Sequence, residues 1–312
     1  MTGAAPLFEN IALIGAGLIG SSIAHAARRA NLAGHIAAYI PREATREKAK
    51  AAGFADSLHA ELKPAVEGAG LVILCTPVGT YGTLAKELAP YLQKGAILTD
   101  VGSVKTAVVR DVGPYVPQGV HFIPGHPIAG TEQSGPEAGF AELFDGRWCI
   151  LTPVPGTDPE ALEKLQTFWQ RCGSEVEVMD AKHHDLVLAI VSHVPHLIAY
   201  NIVGTAADLE TVTQSEVIKF SASGFRDFTR IAASDPTMWR DIFLNNRDAV
   251  LEMLGRFSED LTALQRAVRW GDGDTLHNLF TRTRAIRRSI VAAGQDTAAP
   301  NFGRSAAKPG KS

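Results

Sequence analysis

A glycine-rich turn near the N-terminus constrains the fold of this chain more than any other feature. Residues 11–22 read IALIGAGLIGSS, so the pattern GxGxxG follows a short apolar run and precedes a helix-forming stretch. In such a turn Gly15 allows the tight bend, Gly17 lets backbone approach a phosphate, and Gly20 lets helix and strand pack closely. The free N–H groups at the helix start attract negative charge. The alternative interpretation is a glycine-rich turn that binds nothing.

The first half of the chain alternates apolar runs with helical patterns around this turn. The runs predict strands at 11–14, 36–39, 71–75, 97–99, 120–123 and 148–151. The periodic stretches predict helices at 21–30, 43–52, 81–92 and 105–112, then a helix near 159–171 and a strand near 175–178. Strands that alternate with helices through short loops form a parallel sheet with both faces covered.

The pattern changes near Asp180. Long stretches of 3.6-residue period follow at 182–208, 238–268 and 275–292. We therefore predict an α/β Rossmann-type doubly wound parallel sheet over residues 1–180 and an all-helical domain over 181–294. Several helical stretches are too apolar for a small isolated bundle, which predicts a homodimer through this domain. The segment 295–312 is rich in Ala, Pro, Gly, Ser and Lys and is predicted to be disordered.

Composition excludes several classes of function. The formal net charge of −3 over 312 residues gives no field that attracts nucleic acid or anionic lipid. The three cysteines (Cys75, Cys149 and Cys172) form no CxxC pair, which suits a reducing compartment better than a disulfide framework. The N-terminal residues lack a basic segment and a long apolar run. We predict a cytoplasmic protein with no nucleic-acid or membrane partner.

The predicted dinucleotide site consists of the glycine turn and two further loops. In the turn, the predicted cofactor-binding residues are Gly15, Gly17, Leu18, Ile19 and Gly20. Cys75, Thr76 and Pro77 follow the third predicted strand and are expected to line the site. An acidic residue that holds the ribose of NAD usually ends the second strand, but Ile40 stands there. Arg42 suits the 2′-phosphate of NADP, or is an exposed helix residue; Glu43 is a further candidate for the ribose. The sequence leaves NAD or NADP open.

The chemical site is expected beyond the carboxyl ends of the fourth and fifth predicted strands. His126, between Gly125 and Pro127, is a candidate base because imidazole accepts a proton near neutral pH. We expect the His126 side chain to be exposed on a stiff loop. The alternative is a histidine that packs within the loop and has no catalytic role. Ser103 is expected to contact the cofactor, and also to hydrogen-bond the substrate hydroxyl from which His126 takes the proton or to orient the ring. Its alternative role is to cap the helix that follows.

The helical half adds two polar groups. His193 and His196 share a helix face beside Pro195, which is expected to kink the helix and expose a carbonyl. Their spacing matches no zinc motif, so we predict no metal; buried histidines without a ligand are the other interpretation. Residues 224–239 carry Arg226 and Arg230, whose guanidinium groups suit a carboxylate substrate. Surface pairing of these arginines with Asp227 or Asp235 is the alternative.

Taken in order, GAGLIGSS, DVGSVK, GHPIAGTEQSG, HHDLVLAIVSHVPH and GFRDFTRIAASDPTMW resemble the prephenate/arogenate (cyclohexadienyl) dehydrogenases. The resemblance covers about residues 11–293. It implies a dinucleotide-binding domain, a helical dimerisation domain, and oxidative decarboxylation of prephenate and/or arogenate in tyrosine biosynthesis. A further implication is that tyrosine feedback, if present, acts at the active site. Another NAD(P)-dependent hydroxyacid dehydrogenase, an imine reductase and a nicotinamide-sensing protein without chemistry are the alternatives.

The resemblance also implies roles for single residues. His126 corresponds to the catalytic base, Ser103 to its hydrogen-bonding partner, and Arg230 to the group that binds a substrate carboxylate. Other residues are expected to line or gate the pocket, some from a second subunit: His193, His196, Thr131, Glu132, Asp227 and Trp239. The segment 40–42 departs from family members that have an acid there, so the NAD preference does not carry over.

Overall fold

A six-stranded parallel sheet forms the centre of the N-terminal half. The computed structural model describes residues 5–131, 133–213 and 222–292. The strands, in the sheet order β3-β2-β1-β4-β5-β6, are β1 (Phe8–Ile14), β2 (Ala33–Tyr39), β3 (Ser57–His59), β4 (Leu71–Leu74), β5 (Ile97–Asp100) and β6 (His121–Phe122). The chain order reverses between β1 and β4, where open α/β sheets bind their ligands.

Five helices connect these strands. They are α1 (Leu18–Arg29), α2 (Glu43–Ala52), α3 (Leu62–Val66), α4 (Tyr81–Leu88) and α5 (Thr106–Val112). Successive strand residues enter opposite cores: Ile11 and Leu13 lie in one apolar cluster, and Ala12 and Ile14 in the other. Because both faces are buried, these strands are apolar throughout instead of alternating. The predicted Rossmann-type, doubly wound α/β fold is confirmed.

Two strand predictions needed correction. The strand at 148–151 exists but lies outside the main sheet: β7 (Gly125–Pro127), β8 (Trp148–Leu151) and β9 (Glu175–Val178) form a separate sheet, with α6 (Pro159–Arg171) between the last two. The main sheet instead gains β3, which the sequence analysis missed. This edge strand has only three half-buried residues and no alternating apolar pattern, so it leaves little signal.

The second half is helical, as predicted. Its helices are α7 (Ala181–Leu188), α8 (Val194–Thr213), α9 (Ser223–Thr229), α10 (Pro236–Asn245), α11 (Arg247–Trp270) and α12 (Gly273–Ala292). No strand occurs within 181–213 or 222–292. Short 3₁₀ turns occur at Val78–Thr80, Ala89–Tyr91, Gly113–Tyr115, Pro136–Ala138 and Arg230–Ala233. The predicted disordered segment 295–312 lies outside the described residues.

The boundaries of the helical half have local causes. The Asp180 carboxylate accepts a hydrogen bond from the backbone N–H of His183 and so caps α7. A π-helical turn at Ala189–His193 separates α7 from α8, directly before Pro195, so the helix departs from regular α geometry where the proline predicted it. Two compact units divide between Met253 and Leu254. The predicted domain boundary at residue 180 stays a prediction.

One continuous helical stretch, Ala181–Asp208, is long and apolar enough to cross a membrane by length and composition. A single stretch of this kind is weak evidence, because the core helix of a soluble protein passes the same test. Asp185 lies in the second turn of this stretch, and its carboxylate accepts hydrogen bonds from the backbone N–H groups of Lys105 and Thr106. Its first turns therefore pack against the α/β part of the chain.

Candidate active site

The glycine turn has the shape that a dinucleotide requires. Gly15 adopts φ of +105°, and a Cβ there would lie 2.8 Å from Cγ2 of Thr76. A Cβ on Gly20 would lie 2.7 Å from the Gly15 carbonyl oxygen, so α1 and β1 approach too closely for any side chain. By contrast, a Cβ on Gly17 would meet no atom within 4 Å. The turn is therefore tight where it packs and open where a pyrophosphate would sit.

The other predicted cofactor residues surround this turn. Leu18 and Ile19 begin α1, whose N-cap is Gly17, so the helix presents free N–H groups there. Cys75 and Thr76 are half-buried and follow β4 directly, and Pro77 is exposed next to them. The backbone of Cys75 lies 3.1 Å from the position of a Gly15 Cβ. These residues fit a bound dinucleotide.

Basic side chains surround the end of β2. Ile40 is buried there, and Arg42 is the exposed N-cap of α2 with no side-chain capping bond. The Arg46 guanidinium donates to the carbonyl oxygens of Ile40 and Pro41, at 2.9 and 2.7 Å. Glu43 is the exposed first residue of α2. The position where NAD-binding proteins usually carry an acid is thus apolar and has two arginines nearby.

A buried ion pair supports the loop between β5 and α5. The Lys105 ammonium donates to the Asp100 carboxylate and to the carbonyl oxygen of Gly125, and both side chains are fully buried. Asp100 also accepts the backbone N–H groups of Gly102 at 2.8 Å and Gly125 at 3.1 Å. Burial lowers the pKa of Lys105, and the nearby Asp100 carboxylate opposes that shift. The pair ties the end of β5 to the strand that carries His126.

His126 begins a chain of buried polar side chains. Its Nδ1 lies 2.9 Å from Nε2 of His184, and Nδ1 of His184 lies 2.9 Å from Oδ1 of Asp185. The Asp185 carboxylate accepts the backbone N–H groups of Lys105 at 2.7 Å and Thr106 at 2.8 Å, so α7 caps α5. The expectation of an exposed His126 is wrong: the residue is only 7% exposed, because β7 pairs with β8 and the ring of His184 packs against it.

Burial sets the protonation of this cluster. It lowers the pKa of His126 well below the usual value, with further lowering by His184, Lys105 and His193. Burial likewise lowers the pKa of His184, and it lowers that of His193 to about 4. Each ring is therefore neutral at pH 7, which is the state that a general base needs.

These shifts predict that the fold loses stability as the pH falls. The folded-state pKa values of His126, His184 and His193 lie below the unfolded value of about 6.5, so below that pH the unfolded chain binds more protons. Each group then contributes a slope of up to about 1.4 kcal/mol per pH unit. Urea denaturation is measured at intervals from about pH 7.5 to 5. The urea concentration at the unfolding midpoint should decrease once the pH is below about 6.5. A flat midpoint over this range would contradict the prediction.

A second cluster lies beside the first. Trp239 is buried, stacks on His196 with ring centroids 3.6 Å apart, and meets His193 edge-on at 6.1 Å. Nδ1 of His196 lies 2.8 Å from the carbonyl oxygen of Ser192, one turn earlier in the helix. Burial lowers the pKa of His196, and the positive charge of Arg230 lowers it further. His193, His196, Trp239 and Arg230 are therefore brought together.

His193 joins the two clusters. Asn246 donates from Nδ2 to the backbone carbonyl of Asp185 at 2.8 Å, and the same atom lies 3.1 Å from Nδ1 of His193. Nε2 of His193 makes no hydrogen bond within the described part of the chain, although the Ser103 backbone lies close by. Within that part, no group of three or more His, Cys, Asp or Glu side chains has the arrangement of a metal site.

The remaining predicted site residues are placed as follows. Ser103 is half-buried and does not cap α5, whose N-cap is Lys105, so its alternative role as a helix cap is excluded. Thr131 is exposed and its hydroxyl accepts the Gln133 N–H. Asp227 lies 3.6 Å from Arg226 in an exposed ion pair, which is the surface pairing considered above. Among the described residues no hydrogen bond or ion pair joins Thr131 or Asp227 to the histidines. Glu132 lies outside the described residues.

The sequence analysis gave no role to the residues that support the site. Asp100, Lys105, His184, Asp185 and Asn246 are all buried and polar. A signal was available for two of them: an acid that ends an apolar strand and a lysine five residues later are unusual beside a core. For His184 and Asp185 the signal was ambiguous, because His183 next to them is exposed.

Comparison with known proteins supports one family over most of the chain. Residues 23–178 match the family described as "Prephenate dehydrogenase, nucleotide-binding domain", and residues 180–282 match "Prephenate dehydrogenase, dimerization domain". A cyclohexadienyl dehydrogenase of Zymomonas mobilis is 40% identical over 284 residues, which is 91% of this chain and 97% of that protein.

Two solved structures are similar in fold and sequence. A prephenate dehydrogenase from A. aeolicus, in complex with hydroxyphenyl propionate and NAD+, has a TM-score of 0.84 at 34% identity, over 90% of this chain and 98% of that one. A Synechocystis arogenate dehydrogenase has a TM-score of 0.75 at 29% identity, over 90% of this chain and 100% of that one. The resemblance inferred from the motifs is confirmed, and the chain belongs to the prephenate dehydrogenase family.

Proposed function

We propose that this protein catalyses the oxidative decarboxylation of prephenate to 4-hydroxyphenylpyruvate and/or of arogenate to tyrosine, with NAD(P)+, in tyrosine biosynthesis. The observation that carries the proposal is a buried neutral imidazole, His126, in the loops beyond the carboxyl ends of the sheet that also holds the glycine turn. Oxidation of an alcohol needs such a proton acceptor close to a hydride acceptor.

The residues of this chain divide the work. Gly15, Gly17, Gly20 and Thr76 would hold the dinucleotide, which would supply the hydride acceptor when bound. His126 removes the proton of the ring hydroxyl. As the carbonyl forms, the ring withdraws electrons from the carboxylate carbon, and loss of CO2 makes the ring aromatic. The protein therefore has to orient the ring, exclude water and take up one proton.

The substrate carboxylate is assigned to Arg230. A guanidinium forks onto two carboxylate oxygens, and the charge of Arg230 already acts on the ring of His196. In our proposal Ser103 hydrogen-bonds the substrate hydroxyl, and His193, His196 and Trp239 form the wall of the pocket. Thr131, Glu132 and Asp227 stay assigned to its rim, where a second subunit can complete it.

We expect Arg230→Ala to raise KM for the dienyl acid by roughly 10²-fold, with a smaller effect on kcat, because it removes a charge-assisted hydrogen bond made before and during the reaction. Steady-state kinetics measure both constants. Arg226→Ala is the matched control, since Arg226 pairs only with exposed Asp227 at 3.6 Å among the contacts described. Unchanged KM with lost turnover in Arg230→Ala would contradict a binding role.

Cofactor preference follows from the end of β2. The exposed Arg42, with Arg46 held beside it, favours a 2′-phosphate, and Ile40 offers no acceptor to a ribose hydroxyl. We expect NADP+ to be used at least as well as NAD+. Arg42→Ala should raise KM for NADP+ about tenfold and leave KM for NAD+ nearly unchanged. Equal effects on both cofactors would remove Arg42 from phosphate recognition.

One kinetic matrix tests the proposed function. Prephenate and arogenate are each supplied with NAD+ and with NADP+, and reduced cofactor is followed by its absorbance. Turnover with at least one pair supports the proposal, and the four rates decide the preferences. No turnover with any pair, alongside measurable cofactor binding, would favour a nicotinamide sensor or a dehydrogenase with another substrate.

The organisation of the protein completes the proposal. We infer a cytoplasmic homodimer whose subunits associate through the helical domain, with the domain boundary near residue 180. Exposed apolar side chains on the helices support this association, among them Val191, Leu251, Trp270 and Phe280. Small-molecule substrates are the only partners proposed apart from the second subunit.

A further inference from the structure

We propose that Asp185 and His184 fix the tautomer of His126, so that Nε2 of His126 is the unprotonated nitrogen that receives the substrate proton. This inference rests on the proposed function for its chemistry, but the hydrogen-bond pattern that carries it does not. A free imidazole can hold its proton on either nitrogen, and only one choice leaves a base facing away from His184.

The argument starts at Asp185. Its carboxylate accepts two backbone N–H groups, those of Lys105 and Thr106, and lies against the ring of His184. Burial raises the pKa of this carboxyl, but the hydrogen bonds from His184, Lys105 and Thr106 outweigh burial, and the net shift is downward. An ionised carboxylate can only accept, so Nδ1 of His184 carries the proton that it donates to Oδ1 of Asp185.

The second step passes through His184. This ring is fully buried and its pKa is lowered, first by burial, so the neutral ring holds one proton. Because that proton is on Nδ1, Nε2 has a lone pair and accepts. Nε2 lies 2.9 Å from Nδ1 of His126, so Nδ1 of His126 is the donor in that bond.

The third step gives the reactive atom. His126 is neutral for the same reason, since burial lowers its pKa well below the ordinary value. With its single proton on Nδ1, Nε2 has a free lone pair. The opposite arrangement, with Nε2 of His184 donating to His126, would need a protonated Asp185 or a charged His184 in a cluster that already contains Lys105 and His193.

The proton that His126 takes returns to the product, because loss of CO2 leaves a phenolate oxygen that takes it back from Nε2. The substrate O–H bond breaks and an N–H bond forms at Nε2 of His126. The electron pair left on oxygen forms the carbonyl, while the C–H pair departs as hydride to the oxidised nicotinamide that the proposed function names. The resulting imidazolium still donates from Nδ1 to His184, and the Asp185 carboxylate stabilises the positive charge through that ring.

His184 and Asp185 are therefore positioning residues in this proposal. Three charged or titratable side chains act on the ring that they orient: His184 on α7, Lys105 before α5, and His193 at the π turn. Lys105 in turn pairs with Asp100 at the end of β5. Neither His184 nor Asp185 needs to touch the substrate. Their effect is to select one tautomer and one ring orientation before the substrate binds.

Histidine-selective ¹⁵N NMR of the whole protein tests the tautomer without any activity assay. The chain has 10 histidines, and the His126→Asn and His184→Leu spectra assign the two signals. We expect both rings in the Nδ1–H form in the wild type at pH 7.5. In His184→Leu, His126 should change to the Nε2–H form that free imidazole prefers. An Nε2–H form of His126 in the wild type overturns the proposal, whether or not the protein oxidises prephenate.

Steady-state kinetics of His184 variants are the second test of the positioning role. His184→Leu should lower kcat roughly 10–100-fold with little change in KM, the range seen when the partner that orients an imidazole is removed. His184→Gln should recover most of that loss, because its amide oxygen can accept the Nδ1 proton of His126. His183→Leu, at the exposed neighbouring histidine, is the matched control and should keep the wild-type kcat. Wild-type kcat in His184→Leu, with folding verified by circular dichroism, overturns the positioning role.

Discussion

His126→Asn lowers kcat by roughly 10²–10⁴-fold and changes KM only modestly, the loss expected when a general base is removed but binding is kept. Asparagine is the informative replacement because its amide N–H can take the place of Nδ1 and still donate to Nε2 of His184. The side chain then keeps its supporting hydrogen bond and lacks only the nitrogen that accepts the proton. Steady-state kinetics with the better of the two dienyl acids measure the effect.

Two controls make this result specific. His183→Asn changes an exposed histidine on the same helix as His184 and should leave kcat unchanged. Cofactor titration by fluorescence should show that His126→Asn binds the dinucleotide as tightly as the wild type, since the glycine turn does not include His126. Near-normal turnover in His126→Asn would remove this residue from the role of base.

Lys105→Met destabilises the protein by about 3–5 kcal/mol, the usual cost of removing one partner of a buried ion pair. The lysine and Asp100 are both fully buried, and the ammonium also donates to the Gly125 carbonyl. Methionine has a similar length but cannot donate, so Asp100 keeps a buried charge or takes up a proton. Urea denaturation at pH 7.5 measures the change in unfolding free energy.

The same substitution elsewhere is the control for this prediction. Lys48 pairs with Glu137 at 3.5 Å, and both side chains are more than half exposed, at 60% and 56%. Lys48→Met should therefore cost less than about 1 kcal/mol. Adding Asp100→Leu to Lys105→Met should restore part of the stability, because the uncompensated carboxylate is removed. A cost for Lys105→Met as small as that for Lys48→Met would show that the buried pair does not hold the loop.

The two predictions concern different parts of one arrangement. Lys105 ties the end of β5 to Gly125, and its backbone N–H binds Asp185, which in turn contacts His184. A variant at Lys105 is thus expected to affect kcat as well as stability. A variant at His126 should affect kcat while stability changes little, because the neutral amide leaves no charge unpaired.

Some features of the fold and of the site were predictable from the sequence, and others were not. The glycine turn, the helical second half and the family were predicted from local motifs, since each depends on residues adjacent in the chain. His126 and Arg230 were chosen for their residue types and spacing, and their roles stay predictions. The small second sheet was not predicted, because β7 has three residues and pairs with β8 more than 20 positions away.

By itself the sequence determined the class of fold and the chemistry on offer. Apolar periodicity decides which segments become strands and helices, and GxGxxG decides where a phosphate can approach the backbone. Only the tertiary structure decided that Asp185, His184 and His126 form one hydrogen-bonded chain and that Lys105 is buried in an ion pair with Asp100. The physical reason is that burial and hydrogen bonding depend on groups far apart in sequence, and these set the protonation of a histidine.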